Sequence, residues 1–543
     1  MEKSARTDPL WWQRGVIYQI YPRSFKDASG DGIGDLPGIL EKLDYLSDTL
    51  PVDAIWLSPF YPSPMADFGY DVSNYTDVHP MFGTLADFDR LVEAAHTRDL
   101  RIIVDFVPNH TSDRHPWFQE SRSSRDNPRA DWYVWADPKP GKAPPNNWLS
   151  FFGGGAWEWD DTRGQYYLHS FLKEQPDLNW RNPAVKHAML ENMRFWLERG
   201  VDGFRLDVPN LMMKDPEMRD NPPNPVFIQG AAASPYEAFL HLYDKAHSDI
   251  HPLYRDIRKL LDEYSADRPR FAVGEIHEFN WPIWASYYGE HQDELHMPFN
   301  FGLLFLPWTA KDVRQVVDGV EAALHPGDWP NYVLGNHDTH RIVSRVGPAQ
   351  ARVAMMLLLT LRGTPTTYYG DEIGMHDVEI PPDRIQDPFE KNVPGLGLGR
   401  DPERTPMQWD RGPNAGFCPP DVKPWLPIPD DYTQINVATE LDDPRSFLSL
   451  TRRLLAIRRE AAALHSGTYH PVDTDAGDCF VYRREADEQR YLIALNFSHE
   501  ERPLHLADRD TGTIAVSTHL DRDGEIQLDE LCLRADEGCI IRL

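Results

Sequence analysis

Cysteine is scarce in this chain: four in 543 residues (Cys418, Cys479, Cys532 and Cys539), with no CxxC pair. That excludes a zinc ribbon, a thioredoxin-like motif and a small disulfide-stapled scaffold. All four lie late in the chain, away from the acidic motifs below, and read as buried thiols. Long apolar runs are also missing. None approaches the ~20 residues that cross a bilayer, and the acidic balance described below disfavours an anionic membrane surface, so no membrane partner is expected. The opening MEKSARTDPLWW has no apolar core of the signal-peptide kind, which makes a cytoplasmic location the expectation. Basic residues are in deficit, 55 Lys and Arg against 85 Asp and Glu, for a formal charge of −30. That balance disfavours a nucleic-acid phosphate backbone as partner and reads as a solvated acidic surface. Internal repeats and low-complexity tracts are absent.

What is present is a globular composition, 41% hydrophobic and 26% charged, long enough for one large domain and at least one smaller one. Strand-like and helix-like segments alternate. Strands are expected over 16–21, 54–58, 101–107, 203–208, 271–276, 295–301 (the weakest), 331–338 and 366–369. Helical apolar spacing falls over 36–50, 85–97, 184–199, 253–264, 313–324, 351–361 and 447–459. The alternation stops between 109 and 179, a stretch rich in Trp, Tyr, Phe, Gly and Pro. Pro-rich loops fill 215–235 and 381–429. Beyond 466 the pattern changes to short alternating strands with Asp/Gly turns. Eight strand–helix pairs give an α/β fold, a (β/α)8 TIM barrel. The expected division is barrel 1–108, insertion domain 109–179 after strand three, barrel 180–465 with a loop-rich part near 371–430, and a C-terminal antiparallel β-sandwich domain 466–543.

Active sites of such barrels lie at the C-terminal ends of the strands. Here those ends carry Asn109-His110 (strand three), Arg205 and Asp207 (four), Glu275 (five) and His337-Asp338 (seven). A single acid at a strand end is usually a turn or cap residue; acid or imidazole at four strand ends is not explained that way. Two carboxylates across a polar pocket are the equipment of glycoside hydrolysis, one anionic to attack and one protonated to donate. On a strand, residues two apart share a face, so Arg205 projects beside Asp207 and favours its ionised form. Glu275 follows the apolar FAVG, which favours a raised pKa and the acid role. Asp338 remains to hold sugar hydroxyls as charge develops.

The chain resembles the α-amylase superfamily of glycoside hydrolases (family 13), in its α-glucosidase and oligo-1,6-glucosidase branch. The motifs that carry the likeness are DFVPNH (Asp105–His110), GFRLDV (Gly203–Val208), GEI (Gly274–Ile276), GNHD (Gly335–Asp338), QPDLNW (Gln175–Trp180) and RTPMQWD (Arg404–Asp410). The resemblance runs from about Trp11 to the C-terminus. It implies Asp207 as nucleophile, Glu275 as acid/base and Asp338 as transition-state stabiliser. It also implies a glucose-holding shell of Asp67, Tyr70, His110, Arg205 and His337, with Phe171, Gln175 and Arg400; for Phe171, packing in the insertion domain is the alternative.

A second motif, DASGDGIGD, places Asp27, Ser29, Asp31, Ile33 and Asp35 at alternate positions of a glycine-bearing loop. Its spacing is that of the first part of an EF-hand, without the closing glutamate, whose place Gly38 takes. Relatives bind one Ca2+ or Mg2+ here, so a structural ion is expected, with an ion-free Asp/Gly turn as the alternative. No organic cofactor is expected.

The implied activity is that of an exo-acting retaining α-glucosidase, with carboxyls about 5–5.5 Å apart, working on short oligosaccharides of the maltose or isomaltose type and able to pass glucose to another hydroxyl. Trehalose synthase and sucrose isomerase use the same covalent intermediate and stand as alternatives. A non-catalytic transporter partner is a remote one, because all three carboxylates are present. For linkage, Val208 after the nucleophile points to α-1,6. The following PNLMMKDPEMRDNPPNP, and GEIH in place of a GEMPG-like segment, point to α-1,4 or broad activity, the expectation adopted.

Overall fold

The structure, a computed structural model, describes residues 9–227, 234–506 and 511–543. The first eight residues of the N-terminal stretch and part of the 215–235 loop lie outside the described residues. Eight parallel strands form one sheet: Ile17–Ile20, Ala54–Leu57, Arg101–Phe106, Gly203–Leu206, Phe271–Gly274, Met297–Pro298, Asn331–Val333 and Thr364–Tyr368. Hydrogen bonding runs seven-eight-one-two-three-four-five-six. This is the expected (β/α)8 barrel.

The sixth strand is two residues long because Pro298 offers no N–H to a ladder. The barrel closes there through one side chain instead. Asn331, fully buried at the start of the seventh strand, accepts from the Asn300 N–H at 2.8 Å and donates to the Pro298 carbonyl at 3.0 Å.

Helix starts follow capping chemistry. Thr84 and Asp87 form a capping box on Leu85–His96, and Asn182, Thr309 and Ser446 cap Pro183–Glu198, Ala310–Ala323 and Phe447–Glu460. Two helices differ from the sequence expectation. The 36–50 helix breaks into Leu36–Glu41 and a wider turn, Tyr45–Thr49, which carries the Tyr45 hydroxyl to Glu372 at 2.8 Å. The 351–361 helix extends back to Ile342 across a kink, because Gly347 has φ 80° and Pro348 follows it. That helix, Ile342–Thr360, has the length and mean hydropathy of a membrane span. Its polar groups nevertheless reach the C-terminal domain: Arg352 donates to the Thr518 carbonyl, and Gln350 to the Asn496 carbonyl and Asp536.

Between the third and fourth barrel strands, Trp135–Ala136, Gln165–Leu168 and Trp157–Asp160 make a small antiparallel sheet. Most of its aromatics pack internally: Trp148 and Trp157 share one core with Leu168, and Phe118 stacks on Trp135. The chain after 466 forms a six-stranded antiparallel sheet and a two-stranded ribbon, Arg502–Pro503 with Cys532–Leu533. Cys479 and Cys539 are buried in the core of that unit, as free thiols like the other two.

Candidate active site

Residues adjacent on neighbouring barrel strands meet at one height. The third and fourth strands pair Asp105 with Arg205, and the fourth and fifth pair Arg205 with Val273. Arg205 is buried, and its guanidinium sits over the Trp56 ring at 5.0 Å. One terminal nitrogen donates to both oxygens of Asp105 (2.8 and 3.0 Å) and to Asp207 Oδ1 (2.8 Å); the other donates to Glu275 Oε2. A single cation thus ligates carboxyls from three strands. Val208 turns the chain after Asp207 with φ 34°, a left-handed conformation that strains a β-branched residue. In that conformation its N–H donates to Glu275 Oε2 at 3.3 Å.

A chain of hydrogen bonds carries the network to the seventh strand. Gln19 Nε2 donates to His337 Nδ1 (2.8 Å), which places the ring proton on Nε2. Nε2–H then donates to the Tyr70 hydroxyl (2.6 Å), and that hydroxyl donates to Asp105 Oδ2 (3.0 Å). This tautomer follows from the bonding pattern. The Tyr70 and Tyr21 rings both lie nearly parallel to the His337 ring, with centroids 5.4 and 5.8 Å away. Asp338 accepts from Arg400 (3.1 Å) and Arg404 (2.7 Å), while Arg404 also donates to the His337 carbonyl (2.6 Å).

The far wall is built from Asp67, which accepts from Arg400 (2.8 Å) and Gln175 (3.2 Å). Gln175 Nε2 lies 3.1 Å from His110 Nε2, and His110 packs on Phe171 at 5.2 Å. Phe171 also packs against Phe151 and Phe152, so it touches the sugar-holding shell at His110 and its own aromatic cluster as well. All eleven residues read from the sequence as catalytic or sugar-holding therefore fall in one connected network.

The electrostatics depart from two expectations, the raised Glu275 and the ionised Asp207. Glu275 is lowered rather than raised. Burial alone would raise it, but Arg205 and a 2.9 Å bond from His277 Nε2 outweigh that and hold it near 2. Asp207 is pushed well above the ordinary range by burial; Arg205 opposes this, but its charge is divided among three acids. Burial raises Asp105 to about 6 against the same arginine. These carboxyls share one cation and titrate as one set, so their protons belong to the set rather than to one residue. For Asp338, burial is overcome by His337, Arg400 and Arg404, which keep it well below the usual carboxylate range. Burial lowers His337 to about 3 and His110 to about 4, so both are neutral hydrogen-bonding groups at physiological pH.

Sequence reasoning missed Asp105, Arg404, His277 and Asp387, the last of which braces Arg400 through its backbone N–H and guanidinium. A signal existed for Asp105. An acid inside RIIVDFV must find a cation once that strand is buried.

In the 27–35 loop, Asp27 accepts from the N–H groups of Gly30 (2.6 Å) and Gly32 (2.8 Å) and from Ser29 Oγ (3.2 Å). Asp35 accepts from Ala28, Ser29 and Gly38, and Asp31 from Ile33. Gly32 has φ 89°, and a Cβ there would lie 2.3 Å from the Lys423 carbonyl oxygen, so only glycine fits. The donors are all oxygen, the set a hard cation takes, while the carboxylates now bond loop N–H groups. Among the described residues, two clusters of His, Asp and Glu have ligating atoms within 4.8 Å of one another: His340 with Asp377 and Glu403, and His519 with Asp521 and Glu537.

Residues 19–467 match the family model described as alpha amylase, catalytic domain. The probable alpha-glucosidase of Rhizobium meliloti (strain 1021) is 44% identical over 532 residues, covering 95% of each chain. The oligo-1,6-glucosidase of Parageobacillus thermoglucosidasius is 37% identical over 572 residues, 98% of this chain and 99% of that one. The crystal structure of the alpha-glucosyl transfer enzyme XgtA superposes with a TM-score of 0.91 at 43% identity, covering 98% of this chain and 100% of that one.

Proposed function

The chain belongs to the alpha-amylase family, glycoside hydrolase family 13, and from that premise we propose that it is an exo-acting, retaining α-glucosidase releasing terminal glucose from short oligosaccharides. The observation that carries the reading is the single buried guanidinium of Arg205 shared by Asp207 and Glu275, with Asp338 linked to the same network through His337 and Tyr70. Asp207 attacks the anomeric carbon as the glycosidic bond breaks. The bonding pair leaves with the aglycone oxygen, which takes the proton of Glu275. Glu275, now a carboxylate, removes a proton from water, and the resulting hydroxyl displaces Asp207 from the sugar. The role of Glu275 requires that it carry the proton when the glycosidic bond breaks.

Exo action is supported by the Arg400–Asp67 pair, braced by Asp387 and by Phe152 over the Arg400 guanidinium at 4.9 Å. A buried ion pair at that place is what would close a pocket behind a single terminal sugar. An acceptor hydroxyl can replace water in the second step, and the likeness to an alpha-glucosyl transfer enzyme supports transglucosylation. For linkage we adopt α-1,4 or broad activity. An α-1,6 preference is the second reading, favoured by Val208 and by the oligo-1,6-glucosidase relative. We further propose one structural Ca2+ or Mg2+ held by Asp27, Ser29, Asp31, Asp35 and the Ile33 carbonyl, so that chelation lowers Tm without a change in linkage preference.

Two measurements test the proposal. The ratio of kcat/KM on maltose and isomaltose is expected to be near or above one; a large isomaltose preference overturns the linkage reading. Asp207→Asn is expected to lose activity by about 10⁴-fold or more, the scale on which removing a nucleophile acts. Retention of a tenth of the activity would remove Asp207 from that role.

A further inference from the structure

Glu403 lies in the short turn Pro402–Arg404 and is 1% exposed, yet its Oε2 has no hydrogen-bond partner. An orphaned buried carboxylate oxygen is costly. It stands 3.9 Å from Nδ1 of His340, and the same Nδ1 lies 2.8 Å from Asp377 Oδ2. Asp377 Oδ1 is occupied by the Arg341 N–H (2.9 Å), which leaves Oδ2 facing the histidine. The three residues come from three segments: the loop after the seventh strand, the loop after the eighth, and the turn preceding RTPMQWD. The second and third of these are tied by the Val378 N–H to the Pro402 carbonyl.

We propose that His340, Asp377 and Glu403 form a binding site for one divalent transition cation of the Zn2+ type. Imidazole with two carboxylates is a donor set that such ions accept, with a water completing four-coordination. Bonds of about 2.0–2.2 Å place ligand atoms roughly 3.4 Å apart around a tetrahedral ion, a value bracketed by the two spacings from His340, 2.8 and 3.9 Å. The ion replaces the proton between His340 and Asp377 and gives Glu403 Oε2 a partner. His340, half exposed, is the entry side, and Glu403 is the buried wall. The other cluster lacks this character, since Glu537 is already saturated by Arg534, Arg522 and Ser517.

The site adjoins the active centre without sharing a residue with it. Arg404, next to Glu403, donates to Asp338 and to the His337 carbonyl. An ion held here fixes the turn from which Arg404 reaches the centre, so ion binding stabilises the native state.

The test uses full-length protein stripped with a chelator and then kept in excess CaCl2, so that the 27–35 loop does not compete. Equilibrium dialysis against ZnCl2 is expected to give one Zn2+ per chain. His340→Ala is expected to weaken binding at least about tenfold, the lower end of what even an outer partner's loss costs, while His519→Ala leaves it unchanged. Co2+ in place of Zn2+ should give visible absorption in the wild type that His340→Ala abolishes. Glu403→Gln provides a second variant should His340→Ala not fold. Absence of tight Zn2+ binding, equal binding by His340→Ala, or loss in His519→Ala alone overturns the proposal.

Discussion

Replacing Asn331 with alanine tests whether one side chain closes the barrel between its sixth and seventh strands. Asn331 is fully buried and makes two cross-seam bonds, from the Asn300 N–H and to the Pro298 carbonyl. Its own backbone stays paired with the eighth strand, in register with Thr364, so the substitution isolates the seam. Each buried group left unpaired costs about 1–3 kcal/mol, giving roughly 2–6 kcal/mol for the pair. With an m value of at least about 3 kcal/mol/M for a chain of this size, the urea midpoint falls by about 0.5–2 M. Asn331→Leu has nearly the same volume and loses both bonds, so it should fall as far as alanine. Asn331→Asp keeps the acceptor but buries a charge, and should fall further. Activity should decline at lower urea than global tryptophan fluorescence, because the seventh strand leads directly to His337 and Asp338. A change in midpoint no larger than that of a surface substitution, about ±0.5 kcal/mol, would refute the seam.

Two other outcomes are expected. His277→Ala removes a donor that favours the ionised form of Glu275. The bond is to a side chain 41% exposed, so about 1 kcal/mol, or about 0.7 pK unit, is the discounted effect. In the substrate complex the alkaline limb of kcat should therefore move up in pH, and a stationary limb argues against the contact. Glu440 is raised to about 8, chiefly by burial, and its carboxylate accepts from the Leu448 N–H. Its folded pKa lies above the unfolded value of about 4.3, so its stabilising contribution is present at low pH and is lost as pH rises from there through 8. Glu440→Gln should narrow the gap between Tm at pH 5 and at pH 8; an unchanged gap would mean that Glu440 does not titrate in this range.

The eight barrel strands were legible because both faces of RIIVDFV and its counterparts are apolar, a pattern that belongs to a parallel sheet covered on each side. Their ends were less legible. The expected 331–338 strand stops at Val333, because beyond it the backbone turns outward to present His337 and Asp338. The expected 36–50 helix is longer than the observed one, since apolar spacing alone cannot register the bond of Tyr45 to Glu372, 327 positions away. At the site, residues that carry chemistry at strand ends were found. Residues that hold those groups were not: Asp387, Arg404 and His277 lie outside the strands, and Arg404 meets Asp338 across 66 positions of chain.

Composition, period and motif spacing by themselves determined the barrel, the insertion after its third strand, the antiparallel C-terminal unit and the identity of the acids on the rim. These are local properties, set by side-chain type and by the alternation of strand and helix. Only the tertiary structure decided how charge is shared among those acids. Arg205 adjoins Asp207 in sequence, which argued for an ionised Asp207. In space the same guanidinium also meets Asp105 and Glu275. One cation is divided among three buried carboxyls, so the charge that sequence adjacency assigned to Asp207 alone is shared, each acid having lost water on burial.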